Sequence, residues 1–579
     1  MSRFDTVVRG GLVFDGQGND PARADVGIRD GRVAEIGTAL PVAEGTEVID
    51  AAGKWVLPGL VDVHTHYDAE VLVAPGLGES VRHGTTTVLM GNCSLSTVYA
   101  EAEDCADLFS RVEALPWDAV HGAVKEHRTW DGPASYRRFL ESQPLGANVA
   151  AMIGHSDMRV ATMGLRRAVT KGERATDAEL DRMRGMLTDA LDAGFVGLST
   201  IRSSFSKLEG TRYPAQQLPS TYANWREYRA LHAILRERGR VLQCTPNLTK
   251  RAEVLRFFEQ SAGLLHRKPL KTSLLSAADI KADPKIIWLM TGATTAINRL
   301  LGADFRWQHL PVPFEIYADG MDLVVFEEFG SGAAALNVRD ELGRGELVRS
   351  EEYRRWFRRD VAKKFGSRVW HRDLYDSEIT GCPDQSAVGK SFGQIADERE
   401  LHPADAFLDM VAEHGSAMRW RTTIANHRPE VLDKIATASS VQMGFADSGA
   451  HLRNMAFYNF ALRMLRRVHE AEQPFMSVAA AVHRLTGELA DWYGLDAGKL
   501  ITGARADIAV IDPDGLHEAS NAYAEDTLPE FAGLSRMVNR NDGAVAATIV
   551  GGKTVYEYGK FADGFGQTLH AGTFLGATG

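Results

Sequence analysis

Cysteine is scarce in this chain: four residues in 579 (Cys93, Cys105, Cys244 and Cys382), too few and too scattered for a disulfide framework. There is also no Lys/Arg run long enough to make a basic stripe, and the formal net charge is -11. A polyanion-binding surface is thereby excluded, and the expected partner is a small molecule, not nucleic acid. No uninterrupted run of about 18 apolar residues occurs, and the first residues carry no apolar leader segment. No membrane association is expected, and the cytoplasm is the default location.

What the chain does have is length. A chain of 579 residues exceeds one compact core, and hydrophobic residues at 44% with charged residues at 24% are ordinary for globular domains. Residues 1–57 read as a small β module: the β-prone runs Asp5–Val13, Val26–Ile28, Arg32–Ile36 and Glu47–Ile49 are separated by turn signals such as Asp30-Gly31 and Ala52-Gly53. From Val56 the pattern changes to apolar strands alternating with long amphipathic segments, the mark of βα units and a parallel sheet. Strands are predicted at Val56–His66, Thr85–Cys93, Ala147–His155, Gly194–Thr200, Arg240–Asn247, Leu270–Ala277, Arg421–His427 and Val441–Asp447. Eight such units close a TIM-type (β/α)8 barrel, here assigned to residues 58–496. Helices are expected at Asp177–Ala193 and Trp225–Arg238. The oversized connection 279–420, with helical stretches at Glu351–Lys364 and Pro403–His414, is expected to be an inserted lid. Residues 497–579 return to β, with a hairpin turning at Gly551-Gly552, and are expected to join residues 1–57 in one discontinuous β-sandwich, since neither piece alone buries a face. The whole is an α/β fold.

The chemistry gathers at the strand ends, where a βα barrel carries its active site. On a strand, positions i and i+2 share a face, so His64 and His66 are expected to point together with Thr65 turned aside, forming half of a tetrahedral zinc site. Cys93 ends the neighbouring strand and reads either as a buried apolar residue or as a metal thiolate. Asp447 ends the last strand, where a buried carboxylate needs a metal or its water as partner; the rival reading is a helix N-cap. His155 reads as an oxyanion or substrate contact or as a satisfied buried histidine, and His427 and His451 share that ambiguity. Arg202 and Arg453 are candidates to pair with a substrate carboxylate.

Several stretches resemble a known family: Pro58-Gly-Leu-Val-Asp-Val-His-Thr-His-Tyr-Asp-Ala, Gly84-Thr-Thr-Thr-Val-Leu-Met-Gly-Asn-Cys93-Ser, Gly194-Phe-Val-Gly-Leu-Ser-Thr, Gly444-Phe-Ala-Asp447-Ser-Gly-Ala-His and Leu500-Ile-Thr-Gly-Ala-Arg-Ala-Asp-Ile-Ala-Val. The chain is similar to the amidohydrolase superfamily, more narrowly its D-aminoacylase or N-acyl-D-amino-acid deacylase branch. The resemblance runs from the first β module to the last and is weakest over 279–420. It implies a metal-dependent barrel flanked by a β-sandwich, hydrolysing an N-acyl amide of a D-amino acid. By position it makes His64, His66 and Cys93 metal ligands and Asp447 the catalytic aspartate. The chain departs from that pattern where D-aminoacylases place further metal-binding histidines: Thr245-Pro246-Asn247 follows strand five and Ala277-Ala278-Asp279 follows strand six. Nor does strand four end in the lysine that other amidohydrolases carbamylate.

The expected site is therefore one zinc held by His64, His66, Asp447 and Cys93, with Asp447 as general base and His155, His451, Arg202 and Arg453 facing substrate. Two other readings fit the same residues: a hydrolase of cyclic or natural-product amides, and a barrel without metal acting as a binding protein. A homo-oligomer is compatible with all three.

Overall fold

The computed structural model describes residues 3–247, 251–363 and 368–578. Its centre is an eight-stranded parallel sheet in which Leu60–Asp62, Thr85–Met90, Asn148–Gly154, Gly197–Ile201, Val241–Thr245, Lys271–Leu275, Asp304–His309 and Val441–Met443 follow one another as neighbours. The two ends of this sheet meet beyond the first and last strands. There Thr65 bridges Ser448 in parallel, His66 N donates to Ser448 O at 2.7 Å, and Asp447 N donates to His64 O at 3.1 Å. The contacts that close the barrel are thus made by the histidine and aspartate segments themselves.

Helices cover the outside. Thr176 caps Asp177–Asp192 by accepting from Glu179 N, and Asn224 caps Trp225–Glu237 by accepting from Arg226 N and Glu227 N. Phe460–Glu470, Val478–Leu485 and Gly487–Tyr493 follow the last strand. No helix among the described residues is long and apolar enough to cross a membrane.

Two strand assignments differ from expectation. The predicted strand Val56–His66 is two strands in two sheets: Trp55–Pro58 pairs with Ile508–Ile511 outside the barrel, and Leu60–Asp62 enters it. Gly59 makes the transfer, where any Cβ would lie 1.9 Å from Thr86 Oγ1. Barrel strand seven is Asp304–His309, not Arg421–His427. The polar composition Asp-Phe-Arg-Trp-Gln-His concealed it, because only Phe305 and Trp307 join the core while the alternate side chains serve the barrel interior. The Arg421 segment, Arg419–Ala425, instead forms the middle of a three-stranded antiparallel sheet with Phe314–Asp319 and Ser377–Gly381.

The large connection consequently follows strand seven. Around its sheet it carries the helices Gly330–Asn337, Glu341–Arg349, Glu351–Ala362, Phe392–Glu398 and Pro403–His414, and an aromatic core of Phe326, Phe357, Trp370, Phe407 and Trp420. Lys364, the expected end of the third of these helices, lies outside the described residues, as do Met1, Ser2 and Gly579 at the chain ends.

Strands from both ends of the chain share a nine-stranded sheet, in which Ile508–Ile511 lies between Trp55–Pro58 and Val545–Val550. Its hairpin turns at Gly551-Gly552, with φ of 54° and 78°, the two positive values a two-residue turn of this hand requires. A separate hairpin, Ala524–Leu528 with Leu534–Val538, reaches the barrel mouth, where Met537 N donates to Leu452 O at 2.7 Å.

Candidate active site

Just past the first barrel strand, His64 and His66 project to the same side while Thr65 turns away and donates to Leu89 O at 2.9 Å. The donor atoms of His64, His66 and Cys93 lie within 4.8 Å of one another, all buried. Asp447 Oδ1 is 3.3 Å from His64 Nε2 and 3.5 Å from His66 Nε2, and Cys93 Sγ is 3.4 Å from His64 Nε2. In a tetrahedral zinc site with bonds of about 2.0–2.3 Å, neighbouring ligand atoms are separated by about 3.3–3.6 Å. These three of the six edges match, and all three involve His64 or His66.

A metal also answers an open polar need. Asp447 Oδ1 is buried with no hydrogen-bond partner, and such a group is costly unless a cation meets it. Burial holds both imidazoles neutral at pH 7, lowering His64 to about 4 and His66 to about 3, so each keeps a lone pair for a ligand. Burial raises the Asp447 carboxyl, with His64 and His451 opposing, and pushes the Cys93 thiol well up, as Glu113 and Asp447 also do. A cation among these four groups would reverse both shifts. The residues present therefore fit a metal ion of the zinc type.

The backbone is held unusually here. Cys93, Ser94, Asp447 and His451 all take positive φ, at 50°, 75°, 51° and 50°. Left-handed non-glycine residues persist only where their surroundings enforce them, and they gather at functional sites. At Cys93 the enforcement is visible: its N donates to Gln243 Oε1 at 3.0 Å and its Sγ lies 3.3 Å from Thr245 Oγ1.

The other expected residues are placed as follows. His451 lies beside the cluster, with Nε2 3.9 Å from Glu113 and burial lowering it to about 4. His155 is fully buried with both nitrogens engaged, Nε2 with Glu227 Oε1 at 2.8 Å and Nδ1 with Thr200 Oγ1 at 3.1 Å. Arg202 donates to both oxygens of Glu253 at 2.7 and 3.3 Å and lies over Trp225 and Tyr228. Arg453 pairs with Asp319 and Glu525 and borders a cleft of about 580 Å³ between the barrel mouth and the inserted region, lined also by Ser110, Leu323 and Leu452. His427 lies 3.8 Å from Asp279, in the segment following the inserted sheet.

Two residues that face the cluster escape a sequence reading. Gln308, fully buried at the end of barrel strand seven, meets His64 Nδ1 with its Oε1 at 2.6 Å. That contact puts the proton on Nδ1 and leaves Nε2 bare toward Cys93 and Asp447. Correct placement of strand seven would have exposed it. Glu113, in a turn after the helix Ala102–Phe109, lies 3.5 Å from His66 Nδ1. No motif marks it in the sequence.

Comparison with known proteins adds four likenesses. Residues 47–235 match the amidohydrolase family. A protein of Mycobacterium tuberculosis (strain ATCC 25618 / H37Rv), described as uncharacterized, is 53% identical over 99% of this chain and 96% of its own length. An N-acyl-D-aspartate deacylase of Alcaligenes xylosoxydans xylosoxydans is 27% identical over 90% of this chain and 89% of its own. Among solved structures, the N-acyl-D-glutamate deacylase of Bordetella bronchiseptica, complexed with zinc and a phosphonate inhibitor that mimics the tetrahedral intermediate, superposes with a TM-score of 0.64. It is 23% identical and all of both chains is covered, a likeness that establishes the fold.

Proposed function

We propose, for a chain that belongs to the D-aminoacylase branch of the amidohydrolase superfamily, that it hydrolyses the amide bond of an N-acyl-D-amino acid or a similar carboxylate-bearing amide with the help of one zinc ion. The branch comprises hydrolases of C–N bonds other than peptide bonds. The observation that carries the metal is the meeting of His64, His66 and Cys93 donor atoms within 4.8 Å of one another, with the unpartnered Asp447 Oδ1 at 3.3 and 3.5 Å from the two imidazoles. Support for the substrate class comes from the N-acyl-D-aspartate deacylase that aligns with nearly the whole chain. A count of one ion follows from the ends of strands five and six, which offer Thr245 and Ala277 where a second ion would need imidazoles.

His64, His66, Cys93 and Asp447 would hold the zinc, which when bound would supply Lewis-acid polarisation of the scissile carbonyl and a more acidic water. Asp447 takes the proton of the attacking water and delivers it to the amide nitrogen as the C–N bond breaks and the new C–O bond forms. Gln308 keeps His64 in the tautomer that presents Nε2. Arg453, on the rim of the cleft, is the guanidinium we assign to the substrate carboxylate, which would have to displace its present partners Asp319 and Glu525. We assign His451, four residues after Asp447, to the acyl oxygen of the substrate. Arg202 and His155 have polar atoms engaged within the chain, with Glu253 and with Glu227 and Thr200 respectively.

The decisive variant is Asp447→Asn. Hydrolysis of N-acyl-D-amino acids by the zinc-loaded variant is expected to fall by about 10²–10⁴ in kcat. Full activity with zinc still bound would refute the assignment of the base.

A further inference from the structure

We propose that Glu113 is a positioning residue that ties three parts of the barrel mouth into one metal-ready unit, fixing the ring of His66 and the loop that carries Asp447. The inference rests on the zinc reading above. Glu113 belongs to the second βα unit, in the turn whose Glu113 N donates to Phe109 O at 2.9 Å. Its carboxylate reaches across to the first unit, with Oε1 3.5 Å from His66 Nδ1. It also reaches the eighth, with Oε2 3.9 Å from His451 Nε2. Its backbone completes the link, because His451 N donates to Glu113 O at 2.6 Å. His451 is four residues after Asp447, and Asp447 and His451 both hold left-handed backbone that needs external support.

The chemical environment of Glu113 is also unusual. Its side chain is 3% exposed, yet among the described residues its ion-pair partners are these two histidines, with no lysine or arginine. A buried carboxylate is costly without a cation, so a merely structural role would be served better by an apolar residue. A ligating histidine, in contrast, almost always gives its other ring N–H to a carboxylate or carbonyl, which fixes the tautomer and makes the ring a better donor. His66 Nδ1 has no hydrogen-bond partner at present, and Glu113 is the acid that faces it. Contacts of this kind are often long without ligand and tighten in the complex. His64 and His66 would then each have an acceptor behind them: Gln308 for the first, Glu113 for the second.

Zinc affinity of the metal-stripped full chain, read by competition with a chromophoric chelator, tests this without reference to turnover. Glu113→Ala is expected to weaken zinc binding by about 10–100-fold, and Glu113→Gln, which keeps an acceptor of the same shape, by less than about tenfold. In a His66→Ala/His451→Ala background the alanine change at Glu113 should have no more than about a threefold further effect, because both partner rings are gone. Circular dichroism and the unfolding midpoint identify any variant that fails to fold, in which case the isosteric Gln variant carries the test. Wild-type zinc uptake with an unchanged affinity in Glu113→Ala overturns this proposal alone. So does an equal loss with and without the two rings, which would show that Glu113 acts on the fold and not through the histidines. No zinc uptake by the wild-type chain overturns both this proposal and the metal reading beneath it.

Discussion

The contact between Gln308 and His64 gives the sharpest quantitative expectation. Gln308 is fully buried, and its Oε1 lies 2.6 Å from His64 Nδ1. Replacing it with alanine strands a buried ring N–H, which costs the folded chain about 1–3 kcal/mol. The same change frees the imidazole to rotate or take the other tautomer, so zinc affinity should fall by about 10–100-fold, equivalent to about 1.4–2.7 kcal/mol. Two assays separate the terms: urea unfolding of the metal-free chain reads the first, and chelator competition reads the second. Tyr493→Phe is the matched control, because its hydroxyl contacts the Gln308 Nε2 end at 3.5 Å and leaves the His64 contact intact. It should lose stability but hold zinc within about threefold of wild type. If Gln308→Ala holds zinc as tightly as wild type, the tautomer assigned to His64 is wrong, and with it the route by which Nε2 becomes a ligand.

Other expectations follow from single contacts. Gly59→Ala puts a Cβ 1.9 Å from Thr86 Oγ1 at the point where the chain enters the barrel. A loss of about 1–3 kcal/mol by denaturation is expected, with weakened zinc binding, since the displaced strand leads directly to His64; unchanged stability would contradict the close approach. Glu328 in the inserted region is raised from 4.5 to about 7, chiefly by burial, with the backbone N–H groups of Val369 and Trp370 and the Arg372 charge opposing. Because the folded value is the higher one, its contribution is fully present below about pH 4.5 and is lost as pH rises through about 7, an amount of up to about 3 kcal/mol from the gap between the two values. Glu328→Gln should remove that slope from a stability profile across this interval; a profile identical to wild type would contradict the buried, protonated state.

How far the site could be read from sequence depends on where its residues lie. His64, His66, Cys93 and Asp447 stand at the ends of apolar strands with strong patterns, so their candidacy, though not the role of Cys93, could be read from sequence. Gln308 was hidden because Asp304–His309 alternates polar and aromatic residues, so the more apolar Arg421 segment took its place as strand seven. Only pairing could separate them: one strand lies parallel in the barrel and the other antiparallel in the inserted sheet. Glu113 was illegible for a different reason, since it reaches the cluster from an irregular turn and its contacts span three βα units. The pairing of Arg202 with Glu253 and of Arg453 with Asp319 and Glu525 likewise depends on tertiary neighbours that no local spacing announces.

Elemental analysis of the purified chain, followed by zinc titration of the stripped protein and of a His64→Ala/His66→Ala variant, tests the central claim most directly. One zinc per wild-type chain, absent from the double variant and required for hydrolysis of an N-acyl-D-amino acid, is the predicted result. A wild-type chain that retains no metal and gains no amidase activity on addition of zinc would contradict it.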